Sequence, residues 1–350
     1  MAERLLSLQA VNAVGENLEA RARKPKVLPS PTLTRLLLLG GVVLFAILFW
    51  KSGPELVGFL LLEVGWALPL VILPHGLVVI SEAFGWWFAF PHGRCPIKPA
   101  GIVRFTVAAK AIQVMTPSFS QAGELLKIRF LCLSGIKPDV SVASVVAAKT
   151  TIALAELVFI GIGLTVVISI LTIEPLLLTS VSAGIVVMIF FAVGILVWQR
   201  VGLFRPLIWV SRRFRILTTF FHRHEDFLSS TDCLLREYLG EGRRFALSGL
   251  GYLLGWMAGA VEAWVFLRIL GLPNDPLSAL LIQVWLIVVI RLTGFVPGNL
   301  GTQEAGAVMV FSFLGLTADS AMAFAVLRRI RQIVWTALGL GALAKVPGTQ

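Results

Sequence analysis

Apolar stretches at 140–171, 178–199, 245–270 and 319–343 are each long enough to cross a bilayer, whose hydrocarbon core of about 30 Å takes roughly 20 helical residues. In lipid every backbone N–H and C=O must find its partner within the protein, so segments of this kind fold as helices. Hydrophobic residues make up 57% of the chain and charged residues 14%, a balance that a soluble protein of 350 residues would not carry. The expected fold class is an all-α polytopic membrane protein.

Two further stretches lie nearer the N-terminus. Residues 34–50 read as the first span, and the Lys-Ser-Gly-Pro-Glu that follows offers no small-x-small cleavage site, so a signal anchor is expected. Residues 56–90 are too long for one straight crossing and contain Pro69 and Pro74. They read as one kinked span extended by an interfacial piece, with two spans as the alternative. Before them, 1–33 form a cytoplasmic N-terminal arm, for which an interfacial helix and a disordered segment are equally good readings. Residues 34–343 make a single transmembrane domain, and 344–350 a C-terminal tail.

Pro297, Glu304, Gly315 and Asp319 have counterparts earlier in the chain, in the same order and at the same spacing: Pro117, Glu124, Gly135 and Asp139. The same constant shift sets Arg329 on Lys149. Only six of 33 positions are identical between 117–149 and 297–329. Yet proline, glutamate, glycine and aspartate in one register are hard to obtain by chance in so apolar a chain. This is a diverged internal repeat with cores 102–149 and 282–329. Each core holds two short apolar pieces around a Pro/Gly break: 102–116 with 122–134, and 278–296 with 302–315. At about 1.5 Å per residue such pieces do not comfortably cross the core, and they fit as arms of re-entrant hairpins. The expectation is about six full spans plus two re-entrant helical hairpins.

Net charge is +11, but its placement argues for membrane orientation and against a nucleic-acid partner. Segment 200–244 carries nine arginines against five acids, whereas 172–177, 271–277 and 316–320 carry no Lys or Arg. The basic segment is therefore expected to be a cytoplasmic loop, as are 91–104 and the 127–137 end with Lys127, Arg129 and Lys137. Both termini then lie in the cytoplasm. An odd number of spans, three, separates the hairpins, so they enter from opposite faces. An inverted repeat built on broken short helices points to a transport site near the midplane.

Ionisable residues fall inside the apolar stretches, and each costs at least about 2.5 kcal/mol at the bilayer centre. A polar cavity is expected in which Lys110, Lys149, Arg291, Arg328, Arg329 and Arg331 take a lipid headgroup while Glu124 and Glu304 balance charge. Glu156 and Glu262 are buried acids of the same kind. Helix N-termini after Pro117 and Pro297 would add positive potential. The competing reading is that Glu124 with Lys149, and Glu304 with Arg329, lock hairpins to spans; the two readings are compatible. Arg328, Arg329 and Arg331 point in different helical directions and cannot all reach one ligand. His75, Ser81 and Glu82 read as a structural polar contact, and His222 and His224 as solvated loop residues. Cys95, Cys132 and Cys233 are too widely spaced for a readable disulfide framework or zinc site. With no Walker A, Gly-x-Ser-x-Gly or His-Glu-x-x-His pattern, no catalytic residue, metal or cofactor is expected, and no ATP motor.

TPSFSQAGELLKIRFLCLSGI and VPGNLGTQE resemble the two Pro/Gly/Glu hairpins of the flippase-like membrane domain of the lysylphosphatidylglycerol synthase family. The resemblance covers roughly 35–343. Gln303-Glu304 and Leu-Arg-Arg-Ile-Arg at 327–331 resemble the hopanoid-biosynthesis-associated subfamily most. It implies a bacterial inner-membrane protein that moves a lipid between leaflets, with re-entrant turns at Pro117, Gly123, Pro297, Gly298 and Gly301. Full synthases carry a soluble transferase domain after this part, so lysine transfer is not expected of a chain ending at Gln350. Membrane lipids are the expected partners. Two alternatives remain: a non-transporting partner of lipid-biosynthesis enzymes acting through 200–244, and a lipid-modifying enzyme.

Overall fold

The computed structural model describes residues 64–91, 95, 97–115, 121–170, 175–206, 209, 225–273 and 275–344, with Trp50, Glu55 and Leu62 as isolated positions. The arm 1–33, nearly all of the first expected span, Pro117, His222, His224 and 345–350 lie outside them. Among the described residues there are ten helices and no strand. They are α1 (Leu68–Phe88), α2 (Pro99–Met115), α3 (Gln121–Leu133), α4 (Pro138–Ile170) and α5 (Pro175–Val201). After these come α6 (Glu225–Gly240), α7 (Gly242–Ile269), α8 (Pro276–Leu292), α9 (Thr302–Phe313) and α10 (Ala318–Ala344). Four of them, α1, α4, α5 and α7, are long and apolar enough to cross a membrane. α10 is of similar length but carries the arginine run.

Local signals set the ends. Helices α2, α4, α5 and α8 begin on a proline, whose fixed φ suits the first turn. Asp275 caps α8, its carboxylate accepting from the Ser278 N–H at 2.9 Å. α1 is continuous but restarts at Pro74, and the Trp335 indole N–H donates to the Ile72 carbonyl beside that break (3.0 Å). α3 and α9 end alike: Gly135 and Gly315 take φ of 83° and 72°, and the N–H groups of Ile136 and Leu316 return to the carbonyls of Leu131 and Phe311.

Two antiparallel hairpins result. In α2–α3, Gly123 lies against the Ala109 backbone and Phe105 against Phe130, with ring centroids 4.9 Å apart. In α8–α9, Gly306 lies against Val289, the repeat equivalent of Ala109, and the Trp285 indole N–H donates to the Gly306 carbonyl (3.0 Å). Arms of 17, 13, 17 and 12 residues reach only about 18–26 Å.

The repeat is longer than its sequence cores. Buried Ala83, Trp86, Phe90, Ile102, Leu131 and Ala143 belong to one apolar cluster. Their repeat equivalents, in the same order, are Ala263, Phe266, Leu270, Ile282, Phe311 and Ala323, and all six belong to the other. Helices α1 and α7 are thus equivalents, and they pack directly on each other. Gly85 meets Gly251 at one end of the contact and His75 meets Glu262 at the other, so the two run antiparallel. Equivalent helices that lie side by side in opposite directions are related by a half-turn about an axis across them. The repeat is inverted.

The copies also exchange contacts. α2 packs along α10, where Gly339 meets Ala111 and Val107, whereas α8 meets α4 over a shorter stretch at Val284 and Gly163. One expectation needs correcting: the basic 200–244 segment is not simply a loop. It contains α6, which buries Leu228, Leu235 and Tyr238 against the bundle. The Tyr238 hydroxyl meets Thr151 Oγ1 at 2.9 Å, and the Asp232 carboxylate accepts from the N–H groups of Leu203, Phe204 and Arg205.

A Cβ at Gly251 would stand 2.7 Å from the Gly85 nitrogen, a backbone atom that cannot swing aside. Gly251→Val is expected to destabilise by about 1–3 kcal/mol and to lower the detergent melting temperature. Gly341→Ala, where a Cβ meets nothing within 4 Å, should leave it unchanged or higher.

Candidate functional site

The α1–α7 crossing, both hairpins and α10 enclose a cavity of about 440 Å³ on the repeat axis. Glu82 of α1 and Glu262 of α7, which are repeat equivalents, both face it. Each carries a cation. The Lys110 ammonium donates to Glu82 Oε1 at 2.7 Å, and Arg331 binds Glu262 Oε1. His75 Nδ1 stands 3.0 Å from Glu262 Oε2 and 3.1 Å from Arg331, with its ring edge-on to Trp335. Tertiary contact pairs these charges with one another, which is the condition under which they tolerate a membrane interior.

Each hairpin is clasped to the long helix that follows it by an equivalent ion pair. In the first copy Glu124 is shared between Lys149 at 3.0 Å and Lys127 at 3.3 Å, and Lys127 also lies over the Trp86 ring. In the second copy Arg329 Nε donates to Glu304 at 2.7 Å. Its two other nitrogens donate to the carbonyls of Gly298 (2.7 Å) and Asn299 (2.9 Å), in the turn Pro297–Asn299. That turn is possible because Gly298, Asn299 and Gly301 adopt φ of 61°, 49° and 75°. The helix N-terminus expected just after Pro297 therefore comes later, at Thr302, and carbonyl oxygens occupy the turn and bind Arg329. Glu304 is fully buried.

Of the residues singled out in the sequence, Lys110, Glu124, Lys149, Arg291, Arg328 and Arg331 line the cavity, as does Gly298. Glu304 and Arg329 stand behind the wall as a clasp, and Gly123 and Gly301 do not reach it. Arg291, half exposed, is held by both oxygens of Glu156. Arg328 differs from all of these in having no ion pair among the described residues; it is buried at 8% exposure with its Nε unpartnered.

His75 and Glu82, which read from the sequence as a structural contact, line the cavity, as does Glu262, one of the buried acids expected there. The signal was present: the step linking Glu124 to Glu304 also links Glu82 to Glu262. Lys127, expected at a cytoplasmic end, instead sits mid-helix on the cavity.

A second, mostly apolar cleft of about 380 Å³ opens between α3, α4 and α5, lined by Leu125, Ile128, Val145, Val146, Ile195 and Trp198. Glu124 and Lys149 line both spaces. The ion pair therefore forms a polar partition between the central cavity and an apolar side cleft.

Removing one partner of a buried pair leaves the other charged and unmatched. Glu304→Ala is expected to destabilise by about 3–5 kcal/mol, with part recovered in the Glu304→Ala/Arg329→Met double variant. Glu124→Ala should cost less, because Lys149 is 39% exposed and water can solvate it. Unfolding of the four proteins in one detergent measures the order.

Residues 33–341 match the family described as Lysylphosphatidylglycerol synthase TM region. No curated protein matches the chain.

Proposed function

Because this chain belongs to the lysylphosphatidylglycerol synthase TM region family, whose setting is membrane lipid, we propose that it moves a polar-headed lipid between leaflets as a flippase or facilitator. The observation that carries the reading is a charged cavity placed on the axis of an inverted repeat, inside a bundle with an apolar exterior. Spontaneous lipid exchange is slow because the headgroup must shed water to cross about 30 Å of hydrocarbon. A cavity with fixed charges and amides such as Gln283 and Gln303 replaces that water part of the way. The chain of the lipid follows through the apolar cleft between α3, α4 and α5, past Glu124 and Lys149.

Access alternates by exchange of the two unequal repeat contacts. The α2–α10 contact is extensive and closes one side; the α8–α4 contact is short and leaves the other side freer. Swapping the two packings turns the cavity to the opposite leaflet with little change inside either copy. No chemistry on the lipid is required, and the driving force is the lipid's own concentration difference. The membrane is a bacterial inner membrane with the basic 200–244 segment in the cytoplasm, and the subfamily resemblance adds hopanoids to the lipids worth testing.

Vesicles containing the full chain and headgroup-labelled fluorescent lipids test this by dithionite quenching of the outer leaflet. Exchange well above that of protein-free vesicles is expected for at least one headgroup. A disulfide locking α8 onto α4 should abolish it, and reduction should restore it. Exchange at the protein-free rate for every headgroup would remove transport from consideration.

A further inference from the structure

Arg328 is the feature that neither the fold nor the ion pairs explain. It lies on α10 with Glu262, Glu304, Arg329 and Arg331 as its charged neighbours. Each of those glutamates is already taken: Glu262 by Arg331, Glu304 by Arg329. Arg328 thus faces the cavity as a buried guanidinium with no ion pair among the described residues, and its Nε donor is unused. The opposite wall repeats the imbalance, since one carboxylate, Glu124, serves both Lys127 and Lys149. Glu82 and Lys110 balance each other, as do Glu156 and Arg291. The site carries cation in excess at both ends.

An intramembrane charge that no protein group pairs marks a substrate path, where a bound group can supply the partner. Guanidinium is matched by planar or tetrahedral oxyanions, and in a cavity beside an apolar cleft the carrier of that oxyanion is a lipid. We infer that the cavity binds a lipid with a net-anionic, phosphate-bearing headgroup, with Arg328 as the phosphate's counter-ion, and that it disfavours the cationic aminoacyl ester of the same lipid. The inference rests on the lipid-binding part of the proposed function and adds the headgroup's charge. A headgroup with ammonium groups would meet Arg328 and the shared lysines as like charges. An uncharged polyol headgroup would leave Arg328 unmatched.

Titration calorimetry on the full chain in detergent supplies the test. The probes are dihexanoyl phosphatidylglycerol, its lysyl ester, dihexanoylglycerol, an uncharged polyol-headed lipid and inorganic phosphate. Phosphatidylglycerol should bind about tenfold or more tightly than each of the others. Arg328→Gln should lose about that factor for phosphatidylglycerol alone, and Arg328→Lys should keep part of it. Without lipid, Arg328→Gln should melt at or above the temperature of the unsubstituted protein, because an unmatched buried charge has gone. Equal binding of the uncharged or lysylated lipid, unchanged binding in Arg328→Gln, or a lower lipid-free melting temperature would each overturn the inference. Inorganic phosphate binding as tightly as the lipid would reassign the site to a soluble anion. Selective binding without leaflet exchange leaves this inference standing and removes transport, whereas exchange indifferent to headgroup does the reverse.

Discussion

Gly85 and Gly251 let two helices approach until their backbones touch, and the rest of the architecture hangs on that contact. Lipid chains are as apolar as leucine, so helices in a membrane gain little by burying apolar surface against each other; close packing over small residues supplies the attraction instead. Since α1 and α7 are repeat equivalents, the contact also sets the symmetry. It holds one copy against the other in reverse direction and brings Glu82 and Glu262 to the same space. Neither copy has a complete site by itself: α2 of the first copy lies on α10 of the second, and α8 of the second on α4 of the first.

Charge placement follows from that scaffold. The two copies use the same clasp with different chemistry. A lysine pair around Glu124 is partly open to the cavity, while a single arginine around Glu304 is buried and tied to two carbonyls of the turn. Arginine's fork can satisfy a carboxylate and a backbone turn together, which a lysine ammonium does less well. The second hairpin is accordingly fixed to its long helix more firmly than the first. The first clasp is the looser of the two, and it lies where the central cavity meets the apolar cleft.

Much of this could be read in the order of residues. Apolar runs define membrane helices because no unpaired backbone is tolerated in lipid, and that constraint acts locally. Pro297, Glu304, Gly315 and Asp319 exposed the repeat because turns and caps demand particular residues at particular positions. The pairings of Glu124 with Lys149 and of Glu304 with Arg329 were likewise legible, since one repeat step carries both members of the first pair onto the second. What stayed hidden were partners without a repeat mate of like chemistry: Lys110 falls on Ile290, His75 on Gly255, and Glu156 on Thr336. The helix inside 200–244 was obscured by its arginines, which dominate composition although the buried face is apolar.

By itself, then, the sequence determined the solvent, the helical class, the duplication and the inversion, because each depends on local hydropathy, turn chemistry or the sign of loop charges. Only the tertiary structure decided which charges are matched. Pairing depends on distances between α1, α7 and α10, and those distances follow from glycine contacts between segments far apart in the chain. Arg328 and Arg329 are adjacent and share one side-chain chemistry; one is fully engaged and the other is not, because successive residues on a helix point about 100° apart.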